Sequence, residues 1–204
     1  MRMFRTYVGR MVAFITLLGT SFTLFLPSSA SAYNTFNDHV LNGGVGNYGN
    51  NKRYYYITSS ASSYESLIDQ AMNEWIYTTE RVGITTPISY RKTTTMSQSV
   101  MDIYAGSYYP SYMGVLGETE FWKYDTKLDP YQENWGWNKI KLNNPNFNNL
   151  NSTDRKGTIA HEMGHAFGLA HNNSNPYAIM CQLGYGRKVS NSQADDLHGI
   201  NYLY

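Results

Sequence analysis

Cysteine is nearly missing: Cys181 is the single one in 204 residues. That excludes an intrachain disulfide, a thiolate cluster around a structural zinc and an iron–sulfur site. Any bound metal must rest on His, Asp and Glu, and histidine is itself scarce, at 5 residues. An excess of one charge is lacking too. Lys plus Arg is 16 against 15 acidic residues, a formal +1, without the basic field that phosphate binding needs, so no nucleic-acid partner is expected. Internal repeats are absent, and a long hydrophobic run occurs only near the start. Cys181 reads as a buried, inert small side chain.

That run sits in residues 1–32. Arg2, Arg5 and Arg10 precede apolar residues from Met11 to Leu26, and Pro27 leads into Ser28-Ser29-Ala30-Ser31-Ala32. A charged n-region, an apolar h-region and an Ala-x-Ala site predict a secretory signal peptide cut after Ala32. The run is short for a spanning helix, which needs about 20 residues; an uncleaved anchor is the alternative. The expectation is a secreted, extracellular protein with no membrane contact after cleavage. Losing three arginines and no acid leaves the rest mildly acidic.

Residues 33–52, with Gly and Asn dense between Asn42 and Asn51, read as a flexible N-terminal segment. One domain is expected over residues 53–204. Tyr54 to Thr58 is β-branched and aromatic, a strand. Ser62-x-x-Glu65 has the form of a capping box, and Tyr64, Leu67, Ile68, Ala71, Met72 and Trp75 follow at helical spacing. Further strands are predicted at Ile88 to Arg91, Val100 to Ala105, Gly114 to Trp122 and Asn138 to Leu142. Between the last two lies an acidic loop with Asp125, Asp129 and Glu133. A second helix is expected from Ser152–Asp154 to Gly168, and a third from about Ser192, with Asp195 in its first turn, to the chain end. Strands with flanking helices give an α+β fold.

The chemistry concentrates at His161-Glu162-Met163-Gly164-His165-Ala166-Phe167-Gly168-Leu169-Ala170-His171. Histidines four apart on a helix project from one face, so His161 and His165 can take two corners of a tetrahedron around one ion. Gly168 stands where the chain must turn sharply without a Cβ penalty. That turn brings His171 back as a third ligand. Three neutral imidazoles leave a fourth position open, the mark of a catalytic rather than a structural zinc. Water there loses its proton near neutral pH, and Glu162, beside His161 but turned away from the pair, is placed as general base. Five fixed positions in eleven make chance a poor explanation.

These eleven residues resemble the long zinc-binding consensus of the metzincin metallopeptidases. Asn175-Pro176-Tyr177-Ala178-Ile179-Met180 resembles their Met-turn. Asp195 to Tyr204 and Ala71-Met72-Asn73-Glu74-Trp75 resemble the last and first helices of the matrixin branch. The resemblance runs from about Arg53 onward. It implies a twisted, mixed five-stranded sheet with an active-site helix and a C-terminal helix, and a cleft between two subdomains. It also implies that Met180 forms an apolar floor under the zinc without binding it. Gln182 stands where astacin-like and serralysin-like relatives carry a metal-binding Tyr, so the matrixin-like branch is preferred.

The implied function is a secreted zinc endopeptidase, hydrolysing peptide bonds by a zinc-activated water with Glu162 as general base. Its cofactor is one catalytic zinc. Its partner is a protein or peptide substrate in extended form along an edge strand within Gly114 to Trp122, and a monomer is expected. Gln182 to Ser190 should line the pocket for the residue just after the scissile bond. The alternative is a secreted, zinc-containing binding or surface protein without peptidase activity, a role that has no need of Glu162. With only His39 and His198 left over, no second, structural zinc is expected, and with Cys181 downstream of the motif, no cysteine-switch latency segment. Calcium is a further candidate ligand, since Asp125, Asp129 and Glu133 supply oxygens, but their spacing fits no defined loop and a solvated acidic loop is the simpler reading.

Overall fold

The computed structural model describes residues 33–204; the expected signal peptide lies outside the described residues. Five α-helices and six strands alternate as β1 (Arg53–Ile57), α1 (Glu65–Ile76), α2 (Thr79–Val82), β2 (Tyr90–Thr93), β3 (Met101–Gly106), β4 (Gly117–Lys123), β5 (Thr126–Leu128), β6 (Trp137–Asn143), α3 (Asn144–Phe147), α4 (Ser152–Ala166) and α5 (Ala194–Leu203). The sheet order is β2-β1-β3-β6-β4-β5. The first four of these are parallel to one another, and β4 runs antiparallel between β6 and β5. This is the mixed α+β architecture expected, with six strands rather than five. The extra strand, β5, falls in what reads as an acidic loop: three residues carry no periodicity, and only the tight turn at Tyr124, with φ 54°, folds them back onto β4.

The helical spacing along α1 is used as read. Ile68, Ala71, Met72 and Trp75 are fully buried, and Trp75 Nε1 donates to the Ala160 carbonyl at 3.0 Å, joining α1 to α4. Four such side chains at i, i+3, i+4 and i+7 form the apolar stripe that holds a helix against a core. The predicted capping box does not form. Ser62 donates instead to the Ser59 carbonyl within a 3₁₀ turn over Ser59–Tyr64, and α1 begins after it without a side-chain cap. Asn151, one residue before the Ser, Thr and Asp expected to cap α4, accepts from Asp154 N at 2.9 Å. The reciprocal capping box is at α5, between Gln193 and Asp196.

Residues 33–52 differ most from expectation. The sequence reads as a flexible lead-in, yet Phe36, Leu41 and Val45 are buried in the core. Thr35 bridges to Leu169 and Leu41 to Trp135. Arg53 Nε donates to Gly44 O at 2.8 Å. At Gly46, with φ 123°, a Cβ would lie 2.5 Å from Ser89 O, so glycine here allows close packing rather than looseness. Three apolar side chains among many Gly and Asn carry the attachment, and their irregular spacing hides it from periodicity. Among the described residues no helix is long and apolar enough to cross a membrane.

Candidate active site

Helix α4 builds the centre of a cleft of about 540 Å³. Every residue from Gly157 to Ala166 is buried. The helix ends in a paired hydrogen-bond closure: Gly168 N donates to His165 O at 2.9 Å and Leu169 N to Gly164 O at 3.0 Å, with Gly168 at φ 105°. This is the Schellman pattern, which asks for glycine just past the last turn. A Cβ on Gly168 would also meet Leu203 Cδ1 at 2.7 Å. Reversed there, the chain carries His171 back to the other two histidines.

The ligand atoms of His161, His165 and His171 all lie within 4.8 Å of one another. His165 Nε2 is 3.0 Å from His171 Nε2. His161 Nδ1 donates to the Ile179 carbonyl and His165 Nδ1 to the Leu169 carbonyl, each at 2.7 Å. Fixing the proton on Nδ1 leaves Nε2 with a free lone pair pointing to the common centre, the tautomer a metal requires. Burial drives His161 well below the usual imidazole range and His165 down to about 3, with the neighbouring rings adding to it; burial also lowers His171. Neutral imidazoles with converging lone pairs are a donor set that fits zinc.

Glu162 is buried on the β4 side of α4. Thr119 Oγ1 lies 2.8 Å from Glu162 Oε2 and 2.9 Å from the Glu162 backbone carbonyl oxygen. Gly117 leaves the space: a Cβ there would stand 2.9 Å from Glu162 Oε1. Burial pushes the carboxyl up to about 7, against the opposing hydrogen bond from Thr119. That value suits a group that must both take and return a proton near neutrality.

A supporting layer lies behind these side chains. Asp196, buried at the start of α5, accepts from Ile179 N at 2.9 Å, Met180 N at 3.3 Å and Gln193 N at 2.8 Å. It thereby fixes the peptide whose carbonyl holds His161. Met180 is buried against Gly164, where a Cβ would come 2.3 Å from Sδ. From the N-terminal segment, Asn34 Nδ2 donates to His171 O at 2.7 Å and Asn34 O accepts from Ala170 N at 2.9 Å. Phe36 places its ring 5.7 Å from that of His165. Thr119, Asp196, Asn34 and Gly164 are absent from the sequence-based site. A Thr between two Glu on a strand and an Asn in a Gly/Asn-rich segment carry no local signal of such contacts.

Of the other residues singled out, Gln182 lines the cleft, whereas Asp125, Asp129, Glu133, Cys181, His39 and His198 do not. Asp125, Asp129 and Glu133 form no group able to share an ion among the described residues. Glu133 pairs with Lys123 at 2.8 Å, and Asp129 Oδ1 accepts from Tyr131 N. Gln182 accepts from Asn173 at 2.8 Å. Cys181 is buried, His198 is exposed, and His39 Nδ1 contacts the Phe36 carbonyl. Gly114 to Thr119 line one wall of the cleft, and Gln182 to Tyr185 with Arg187 line the other.

Residues 54–204 match the family model described as matrixin. No curated protein matches the chain. Among solved structures, a similar chain comes from the GM1-bound form of the ECX AB5 holotoxin, at 15% identity over 84% of this chain and 90% of that one, with a TM-score of 0.47. At that score the likeness adds nothing to the family match. Spanning three quarters of the sequence, from the first strand to the last residue and including every cleft residue but Phe36, the match shows that the chain belongs to the matrixin family of zinc metallopeptidases.

Proposed function

We propose that this protein is a secreted endopeptidase in which His161, His165 and His171 would hold the zinc that the family implies. The observation that carries the reading is the pairing, in one cleft, of three neutral, converging imidazoles with a buried carboxyl held near neutral pKa. Zinc bound there supplies Lewis-acid charge, which acidifies water and polarises a peptide carbonyl. Glu162 takes the proton of the attacking water and returns it to the leaving amine. Thr119 occupies Oε2, which leaves Oε1 for that proton and holds the ionised carboxylate in position. Met180 supplies an apolar floor and no ligand.

The substrate is a protein or peptide in extended form. From Gly117 to Glu120, β4 pairs only with β6 among the described residues, and β5 covers its outer edge from Phe121 onward. The open stretch borders the cleft, and a peptide strand added there would gain main-chain hydrogen bonds. The protein acts as a monomer outside the cell.

Glu162→Gln tests the reading. Zinc content should stay at one per chain, while hydrolysis of a peptide library falls by at least about 10²-fold. Hydrolysis at the native rate would remove Glu162 from the mechanism. A native, zinc-loaded protein that cuts nothing in a broad library would favour a surface protein that uses the fold for recognition.

A further inference from the structure

Three buried polar atoms in the cleft wall have no partner among the described residues: Arg187 Nε, Arg187 Nη2 and Thr158 Oγ1. Thr158 lies on α4, one turn before His161 and Glu162, and both Thr158 and Arg187 line the cleft that holds the histidines. Arg187 is only 8% exposed, and none of the ion pairs among the described residues includes it. Gly157 makes its place. A Cβ there would stand 3.1 Å from Nη2 and 3.0 Å from Ser190 Cα, so the guanidinium lies against bare helix backbone.

Arginine does not shed its proton, so a buried guanidinium keeps its charge. Buried charges are almost always paired, because an uncompensated one is costly to desolvate. Among the described residues no carboxylate lies within ion-pair distance of Arg187; Asp154, Glu162 and Asp196 act on it only from further away. Its planar fork of donors matches a carboxylate, with which it forms two parallel hydrogen bonds, and the Thr158 hydroxyl offers a further donor. All three donors are already sealed from water, so a carboxylate that displaces the wall to reach them supplies the missing partner, whereas an apolar side chain leaves them unpaired.

We infer that Arg187 and Thr158 form a specificity pocket for a carboxylate side chain of the substrate, Glu or Asp, on the side of the cleft lined by residues 182–190. The pocket deepens the peptidase reading and rests on it for the peptide itself. Binding tests it without turnover. Amidated decapeptides, scanned with Glu, Gln or Leu at each position, are titrated calorimetrically into zinc-loaded Glu162→Gln protein. One position should prefer Glu over Gln and Leu by at least about tenfold. Adding Arg187→Met should bring that ratio close to one, and Thr158→Val should reduce it.

Arg187→Met removes an unpaired buried charge, so its melting temperature should hold; if it fails to fold, Thr158→Val carries the same comparison. Three results would overturn the pocket: no position that prefers Glu, a preference that survives Arg187→Met, or equal weakening of Glu and Leu peptides. Arg187-dependent binding confined to peptides with a free C-terminal carboxylate would also overturn it, in favour of a terminal-carboxylate site. Native protein given the same library separates the two readings. Cleavage without acid preference removes the pocket alone, whereas Arg187-dependent binding of Glu peptides without cleavage removes the peptidase reading alone.

Discussion

Strand β4 turns Glu118 and Glu120 to one face of the sheet and Gly117 and Thr119 to the other, and the two faces treat a carboxylate in opposite ways. On the first, Lys141 lies 2.8 Å from both glutamates, and Lys127 lies 2.9 Å from Glu120. Burial alone would raise these carboxyls. The hydrogen bonds and charges of Lys141 and Lys127, with Tyr109 bonded to Glu118, outweigh it and hold both below the usual range. On the second face, Glu162 meets a glycine, a threonine hydroxyl and no cation within ion-pair distance, and burial carries it up to about 7. Burial acts alike on both faces. What separates the two kinds of carboxylate is whether a cation is bonded to it, since only the more distant charge of Arg187 acts on Glu162.

The largest effect that would break this contrast is on metal binding. His161→Ala, His165→Ala or His171→Ala should each weaken zinc binding by more than the roughly 10–100-fold typical of losing a residue behind the ligands; Lys141→Met should leave it unchanged. Equilibrium dialysis against a competing chelator measures both. Full occupancy in His171→Ala would remove that histidine from the site.

Stability should respond with opposite signs. In metal-free protein at pH 8, Glu162→Gln should stabilise the fold by about 1–3 kcal/mol, because it removes a carboxylate that folding buries at a cost. The folded group has the higher pKa, so its penalty grows as pH rises from the unfolded value through about 7. The gain should shrink towards zero at pH 5. Lys141→Met should instead cost about 1–2 kcal/mol at pH 7, between the values for an exposed and a buried pair. Urea titrations at both pH values decide it, and a destabilised Glu162→Gln variant would mean that the carboxylate is held for structure.

The smallest effect is the order of two acid transitions. His161 and His165 have depressed folded pKa values, so the metal-free fold loses stability as pH drops below about 6.5. Glu118 and Glu120 are depressed as well, and their contribution, present above about 4.5, is lost only below it. Glu162 and Asp196, both raised by burial, oppose the first loss, so the two slopes should separate most clearly in Glu162→Gln protein, where adding His165→Ala should shrink the upper one. A single slope starting below pH 4.5 would mean that the histidines are not buried as neutral groups.

Of the site, the part confined to one helix and its exit was legible. His161 and His165 share a face because they are four apart on a helix, and Gly168 ends that helix because its position past the last turn needs a positive φ. The resemblance carried Met180 and the overall sheet. What could not be read were contacts whose partners lie far apart in the chain. The apparent capping box at Ser62 and Glu65 gave way to a 3₁₀ turn, and residues 33–52 took a place in the core through Phe36, Leu41 and Val45.

By itself, the sequence determined the donor set, its spacing and the turn that closes it, because helix geometry fixes distances between near neighbours whatever surrounds them. Tertiary structure decided the rest. It set Thr119 on Glu162, Asn34 on the His171 peptide and Asp196 on the Met180 turn, and it left Arg187 buried against Gly157 without an ion pair among the described residues. Each of these depends on sheet register and on how helices pack over it, and burial, which sets the ionisation of His161, His165 and Glu162, exists only once the chain has folded.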